Sequence, residues 1–121
     1  MELLVKMHTL SIQIHAERAS PRRMEDIEFA FAALAQNSDL VAAYLFSRGD
    51  ECGIYSTFTF DTRSPNLLWK TIDSRIFPHS ESATNLKNAA IVVCSGSAGW
   101  DDYFLVSHFD ASECVDELPA D

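Results

Sequence analysis

The chain has 121 residues and a net charge of −9, and 47% of its residues are hydrophobic. This length and composition are typical of one globular domain and exclude a disordered or fibrous chain. No apolar run approaches the roughly 18 residues that span a bilayer, and the sequence starts without a basic region followed by a long apolar one. We therefore expect a single cytoplasmic domain over residues 1–121, with no membrane contact.

The three cysteines, Cys52, Cys94 and Cys114, show no CxxC spacing. An odd number without that spacing favours free thiols in a reducing compartment over disulfides or a structural zinc site. We expect no metal and no cofactor.

The acidic residues are concentrated in the last third of the chain. Residues 1–87 contain eleven acids and nine Lys or Arg, whereas residues 88–121 contain seven acids and no Lys or Arg. The negative electrostatic potential of this segment attracts cationic partners and repels nucleic acid.

The first predicted element is a strand over residues 9–15, in which polar and apolar side chains alternate strictly. Leu10, Ile12 and Ile14 share one face, which is typical of a strand with one side on the core.

Ser20 and Pro21 predict the start of a helix, because serine caps free amides and proline is tolerated in the first turn. The apolar residues that follow at helical spacing form a core-facing stripe: Met24, Ile27, Phe31 and Leu34. Phe29 lies off this stripe, either as a flanking core contact or as an exposed aromatic at an interface.

Two strands joined by a hairpin are predicted next. Residues 40–46 are apolar on both faces, which indicates a strand that is covered on both sides or that faces a second copy. Residues 54–60 alternate and are rich in aromatic and β-branched side chains, which favours a strand.

Ser64 and Pro65 repeat the helix-opening pair, and the stripe after them contains Leu68, Trp69, Ile72 and Ile76. Residues 89–94 and 103–109 predict two further strands around a glycine-bearing loop at residues 95–102. Residues 111–121 have no periodicity and are expected to form an irregular acidic tail.

The resulting order of elements is β-α-β-β-α-β-β. It predicts an α+β fold, namely a ferredoxin-like split βαβ sandwich with a mostly antiparallel sheet, two helices on one face and an extra strand at the edge. This fold hosts unrelated functions, so it implies no chemistry by itself.

The segment from Cys94 to Trp100 resembles the nucleophile loop of cysteine phosphatases, but the arginine required at position 100 is a tryptophan. The segment Ser95-Gly96-Ser97-Ala98-Gly99 resembles a serine nucleophile elbow with serine in place of the first glycine, yet 121 residues cannot supply that scaffold. We expect both to be structural and the chain not to be catalytic.

The four histidines show no metal-ligand spacing: His8, His15, His79 and His108. His15 and His108 project from predicted strands and can converge across the sheet, near Asp110. Together with Tyr55 they form an alternative, pocket-lining set.

The predicted open sheet face offers polar side chains and no basic stripe, so we expect no nucleic-acid partner. Large aromatics beside carboxylates are instead the composition of a protein-binding hot spot. The expected partner-binding residues are Trp100, Asp101, Asp102, Tyr103, Asp110 and Glu113.

We expect a non-catalytic acidic module that neutralises or regulates a cationic partner protein, as an immunity or antitoxin-type inhibitor does to a basic toxin. The alternative is a small dimeric ferredoxin-like enzyme or small-molecule-binding protein, with its pocket at the homodimer interface.

Overall fold

A five-stranded antiparallel sheet dominates the structure, a computed structural model that describes residues 7–19, 23–50, 53–78, 85–96, 99–119 and 121. Its strands are β1 (His8–His15), β2 (Ala43–Gly49), β3 (Tyr55–Thr62), β4 (Ala90–Gly96) and β5 (Gly99–His108). The helices are α1 (Ala16–Ala19), α2 (Met24–Leu34) and α3 (Pro65–Thr71). The predicted α+β class with a mostly antiparallel sheet is therefore confirmed.

The strands lie in the order β2-β3-β1-β4-β5, and every neighbouring pair is antiparallel. In the central strand β1, Ile12 lies opposite Phe58 of β3 on one side and opposite Val92 of β4 on the other. Paired residues of neighbouring strands point to the same face. The alternation seen in the sequence of β1 therefore extends across the sheet.

One face of the sheet, which contains Ile12, is covered by helices and is called the helix side. Phe31 of α2 stacks on Phe58, with 4.3 Å between the ring centroids. α3 and its π-helical continuation, Ile72–Ile76, add Leu68 and neighbouring side chains to the same buried core. Burial of apolar surface is the main favourable term in folding, so this side provides most of the stability.

The opposite face, called the open face, carries side chains that remain partly exposed. They are Thr9, Ser11, Gln13 and His15 from β1, Tyr55, Thr57, Thr59 and Asp61 from β3, and Ile91 and Val93 from β4. Among the described residues, both α2 and α3 pack against the other face.

The strand predicted at residues 40–46 starts later than expected. The amides of Leu40 and Val41 donate to the carbonyl of Asn37, so this part of the chain completes the turn after α2. β2 begins at Ala43, at the edge of the sheet, and its Leu45 is 66% exposed on the open face. The expectation that this strand is covered on both sides within the chain is therefore wrong.

The predicted start of α3 at Pro65 is confirmed, but the residue that caps it is not the expected one. Ser64 makes no capping hydrogen bond from its side chain. The carboxylate of Asp121 accepts hydrogen bonds from the amides of Asn66 and Leu67, at 2.8 and 2.9 Å. A residue 55 positions away in sequence thus satisfies free amides of this helix.

The other predicted helix start, at Ser20 and Pro21, lies outside the described residues. α2 begins at Met24, because Arg23 is extended and forms its N-cap, without a capping bond from its side chain. No described helix is long and apolar enough to cross a membrane.

Candidate functional site

Residues 100–103 form a wide bulge in β5, called here the acidic bulge. Cys94 lies opposite Phe104, whereas Gly96 lies opposite Gly99. The four residues of the bulge therefore face Ser95 alone. In a regular strand, alternate side chains would point to the core.

All four side chains of the acidic bulge are exposed as a result. Trp100 is 50% exposed and Tyr103 is 56% exposed, and Asp101 and Asp102 are exposed as well. Residues 95–102 were predicted as a loop. That prediction is wrong because β4 extends to Gly96 and β5 begins at Gly99; residues 97 and 98 lie outside the described part.

Two glycines allow this geometry. A Cβ atom on Gly96 would overlap the backbone oxygen of Asp102, so only glycine permits such a close approach of the bulge to β4. Gly99 has a φ of +75°, a conformation that residues with a side chain rarely adopt. The glycines that suggested a loop in the sequence thus shape the bulge.

The other two predicted partner-binding residues, Asp110 and Glu113, follow the opposite end of β5 and are exposed. The strand residues from Phe104 to His108 separate them from the acidic bulge, a length of roughly 17 Å at about 3.3 Å per residue. The backbone amide of Ser112 donates to the carboxylate of Asp110 at 3.0 Å, and the Ser112 hydroxyl donates to it at 2.7 Å. These bonds, the backbone one most, lower the pKa of Asp110. The six predicted residues thus form two separate acidic surfaces.

The chain after Asp110 returns along β5. The amide of Asp116 donates to the carbonyl of Leu105 at 2.7 Å, and the amide of Leu105 donates to the carboxylate of Asp116 at 2.8 Å. This pair covers part of the outer edge of β5. Sequence reasoning missed Asp116 and Asp121, since neither contact has a local pattern.

Three residues of the alternative pocket come together at one end of the open face, and we call them and Phe109 the imidazole cluster. His15 lies opposite Tyr55, with 5.8 Å between ring centroids. The ring of Phe109 lies 5.2 Å from His15 and 4.7 Å from His108. The guanidinium of Arg18 lies 3.9 Å above the Phe109 ring.

Hydrogen bonds define the tautomers of the two histidines. Nε2 of His15 donates to Oε1 of Gln13 at 2.8 Å. Partial burial, and then the charge of Arg18, lower the pKa of His15, so this ring is neutral at neutral pH. Nδ1 of His108 accepts from the amide of Asp110 at 2.9 Å, so Nε2 carries its proton.

The orientation of Tyr55 depends on a glycine. Gly49 of β2 lies opposite Tyr55, and a Cβ atom on Gly49 would overlap the tyrosine ring. The ring therefore covers the glycine backbone and points along the open face.

The candidate nucleophiles have structural surroundings. Cys94 is completely buried on the helix side, and burial raises the pKa of its thiol to about 11. The hydroxyl of Ser95 accepts from the amide of Thr9 at 2.8 Å, and the carbonyl of Ser95 accepts from Nδ1 of His8 at 3.0 Å. The thiol of Cys94 is therefore protonated at neutral pH and does not react as a nucleophile.

Ser97 and His79 lie outside the described residues, as does Cys52. Within the described ranges, no three His, Cys, Asp or Glu side chains are placed to hold a metal ion.

The chain matches no protein-family model, no curated protein and no solved structure. A function must therefore be argued from geometry and chemistry alone. The acidic bulge and the imidazole cluster are the two candidates.

Proposed function

We propose that this chain is a non-catalytic acidic binding module that neutralises or regulates a cationic partner protein. The observation that carries the proposal is the acidic bulge, where four consecutive side chains, two aromatic and two acidic, are exposed together. The partner would be a basic protein of the toxin class, with Lys or Arg that otherwise contact nucleic acid or membrane.

The two kinds of side chain in the acidic bulge suit different steps of binding. Trp100 and Tyr103 offer large rings of the type that fill pockets at the centre of interfaces. Asp101 and Asp102 attract Lys and Arg and raise the rate of encounter.

A purely protective role for the acids is the main competing explanation. β5 is an edge strand, and charged residues at an edge prevent pairing with other sheets. Protection explains the two aspartates but not the exposure of Trp100 and Tyr103.

The test is to immobilise the wild-type chain and the variant W100A/D101N/D102N and expose both to native lysate. The control is Glu25→Gln with Asp26→Asn, which removes two exposed charges from α2 instead. We expect a basic protein that the wild type and the control retain and the triple variant loses.

Binding kinetics then separate the two contributions. Asn at positions 101 and 102 should slow association and flatten its salt dependence. Trp100→Ala should speed dissociation, with a loss of about 2 kcal/mol or more. If a partner binds all variants equally at low salt, the proposal is wrong, and the acidic residues serve only to keep the protein soluble.

The finer fold assignment is also part of this proposal. The order β2-β3-β1-β4, together with the chain order β-α-β-β-α-β, supports a ferredoxin-like split βαβ with β5 added at the edge. The free thiols of Cys94 and Cys114 support a reducing compartment such as the cytoplasm.

A second candidate function is a small dimeric enzyme or small-molecule-binding protein whose pocket contains His15, Tyr55 and His108. The observation that favours it is the convergence of these rings at one end of the open face. A neutral imidazole near neutral pH is suited to accept a proton. Loss of a measured ligand on His15→Gln, with folding intact, would support this candidate.

A further inference from the structure

We propose that the open face of the sheet is the surface through which two copies of this chain associate in solution. This inference does not depend on the acidic bulge. It supplies the homodimer that the second candidate function requires.

The two sides of the same strands differ in burial. Along β3, Phe58 and Phe60 on the helix side are completely buried, whereas Thr57 and Thr59 on the open face are only partly buried. The edge strand β2 adds Leu45, which is 66% exposed beside Thr59.

The open face carries little charge among its described residues. The open face consists of hydroxyl, amide and aliphatic side chains, with His15 and His108 at one end. Among its described residues, the one carboxylate is Asp61, which accepts from the hydroxyl of Thr9 at 2.8 Å. In a chain of net charge −9, this face lets a second copy approach while the acids remain at the periphery.

The same distribution argues against a cationic partner at this surface. Such a partner requires several carboxylates, and the described part of the open face has one, Asp61. A second copy instead brings the same face, whose described residues include a single carboxylate, and forms a self-complementary contact.

The area of the open face is sufficient for a weak dimer. Five strands at about 4.8 Å spacing and about seven residues at 3.3 Å each give a face of roughly 24 by 23 Å. Two such faces would bury on the order of 1,100 Å² in total, which reaches the lower range of specific interfaces. The open face is thus large enough for a reversible dimer.

The experiment is sedimentation equilibrium of the full chain from low to high micromolar concentration, at low and moderate salt. We expect a monomer–dimer equilibrium that salt strengthens, because salt screens repulsion between two acidic copies. A chain that stays monomeric at every concentration and salt level overturns the proposal.

Variants locate the interface. Thr59→Glu, on the strand next to the central one, should raise the dimer dissociation constant about a hundredfold, because each copy then brings an additional negative charge into the contact. The control is Ala32→Glu, which adds the same charge to an exposed position of α2 and should leave the dimer unchanged.

Leu45→Glu keeps the test decisive if Thr59→Glu impairs folding. Leu45 is exposed at the edge of the sheet, so a charge there should weaken the dimer without affecting the core. A dimer that survives both open-face variants, or that Ala32→Glu alone disrupts, shows that another surface is the interface.

Discussion

The helix side and the open face are built from the same strands but differ in chemistry and in role. On the helix side, Phe58 lies between Phe31 and Phe46, with ring centroids 4.3 and 5.3 Å away. On the open face, Thr57 and Thr59 of the same strand remain partly exposed. Stability therefore comes mainly from one side of the sheet, whereas the open face and the acidic bulge remain accessible to solvent.

The largest effect should come from substitution on the helix side. Phe58→Ala should lower the free energy of unfolding by about 3–5 kcal/mol, because it leaves a cavity beside Phe31. Thr57→Ala, the neighbour on the open face, should change it by no more than about 0.5–1 kcal/mol. Urea unfolding of both variants measures the contrast, and equal losses would show that the open face is packed as tightly as the core.

A pH effect should come from Cys94, also on the helix side. Its pKa is about 11 in the folded chain, against 9.0 for an ordinary thiol, because burial disfavours the thiolate. The stability linked to this thiol is complete below pH 9 and is lost as the pH rises to about 11. The loss is about 2–3 kcal/mol.

Unfolding of the wild type and of Cys94→Ala across this pH range isolates the contribution, since every other titrating group is shared. Slow alkylation of Cys94 at neutral pH, beside faster alkylation of the exposed Cys114, provides an independent check. Rapid labelling of Cys94 in the folded chain would contradict both expectations.

A smaller effect should come from the cap of α3. Asp121→Ala should destabilise the chain by about 1 kcal/mol, because two amides of the helix lose their acceptor. Ser64→Ala is the matched control and should have little effect, since its side chain makes no capping bond. Thermal unfolding of both variants measures the two losses. A larger loss for Ser64→Ala than for Asp121→Ala would show that Ser64 caps α3, as the sequence predicts.

The smallest effect on stability should come from the acidic bulge. Asp101→Asn and Asp102→Asn should change the free energy of unfolding by about 0.5 kcal/mol or less, as is usual for exposed positions. Urea unfolding of the double variant provides the measurement. A large loss of stability would mean that these carboxylates stabilise the bulge. The exposure of Trp100 and Tyr103 would then be a consequence of folding and no evidence of binding.

Local patterns in the sequence determined most of the secondary structure. The alternation at residues 9–15 predicted β1 to within one residue, and Pro65 marked the first residue of α3. These signals are local because the side-chain periods of strands and helices are properties of the backbone itself. The concentration of acids after residue 87 was likewise visible without a structure.

The sites themselves depend on contacts between distant residues, and only the tertiary structure decided them. The sequence suggested that His15 and His108 can converge, but their meeting around Phe109 follows from how β1, β4 and β5 pair. The acidic bulge exists because the register of β4 and β5 shifts between Cys94 and Gly96. No local period encodes such a shift, since register is set by the packing of one strand on another.

The cap of α3 shows the same limit. The sequence placed a serine where a cap belongs, and the fold brought Asp121 to the amides instead. Capping energy depends on which acceptor reaches the helix end, whatever its distance along the chain. The sequence determined that a helix begins at Pro65; the tertiary structure determined what holds its first turn.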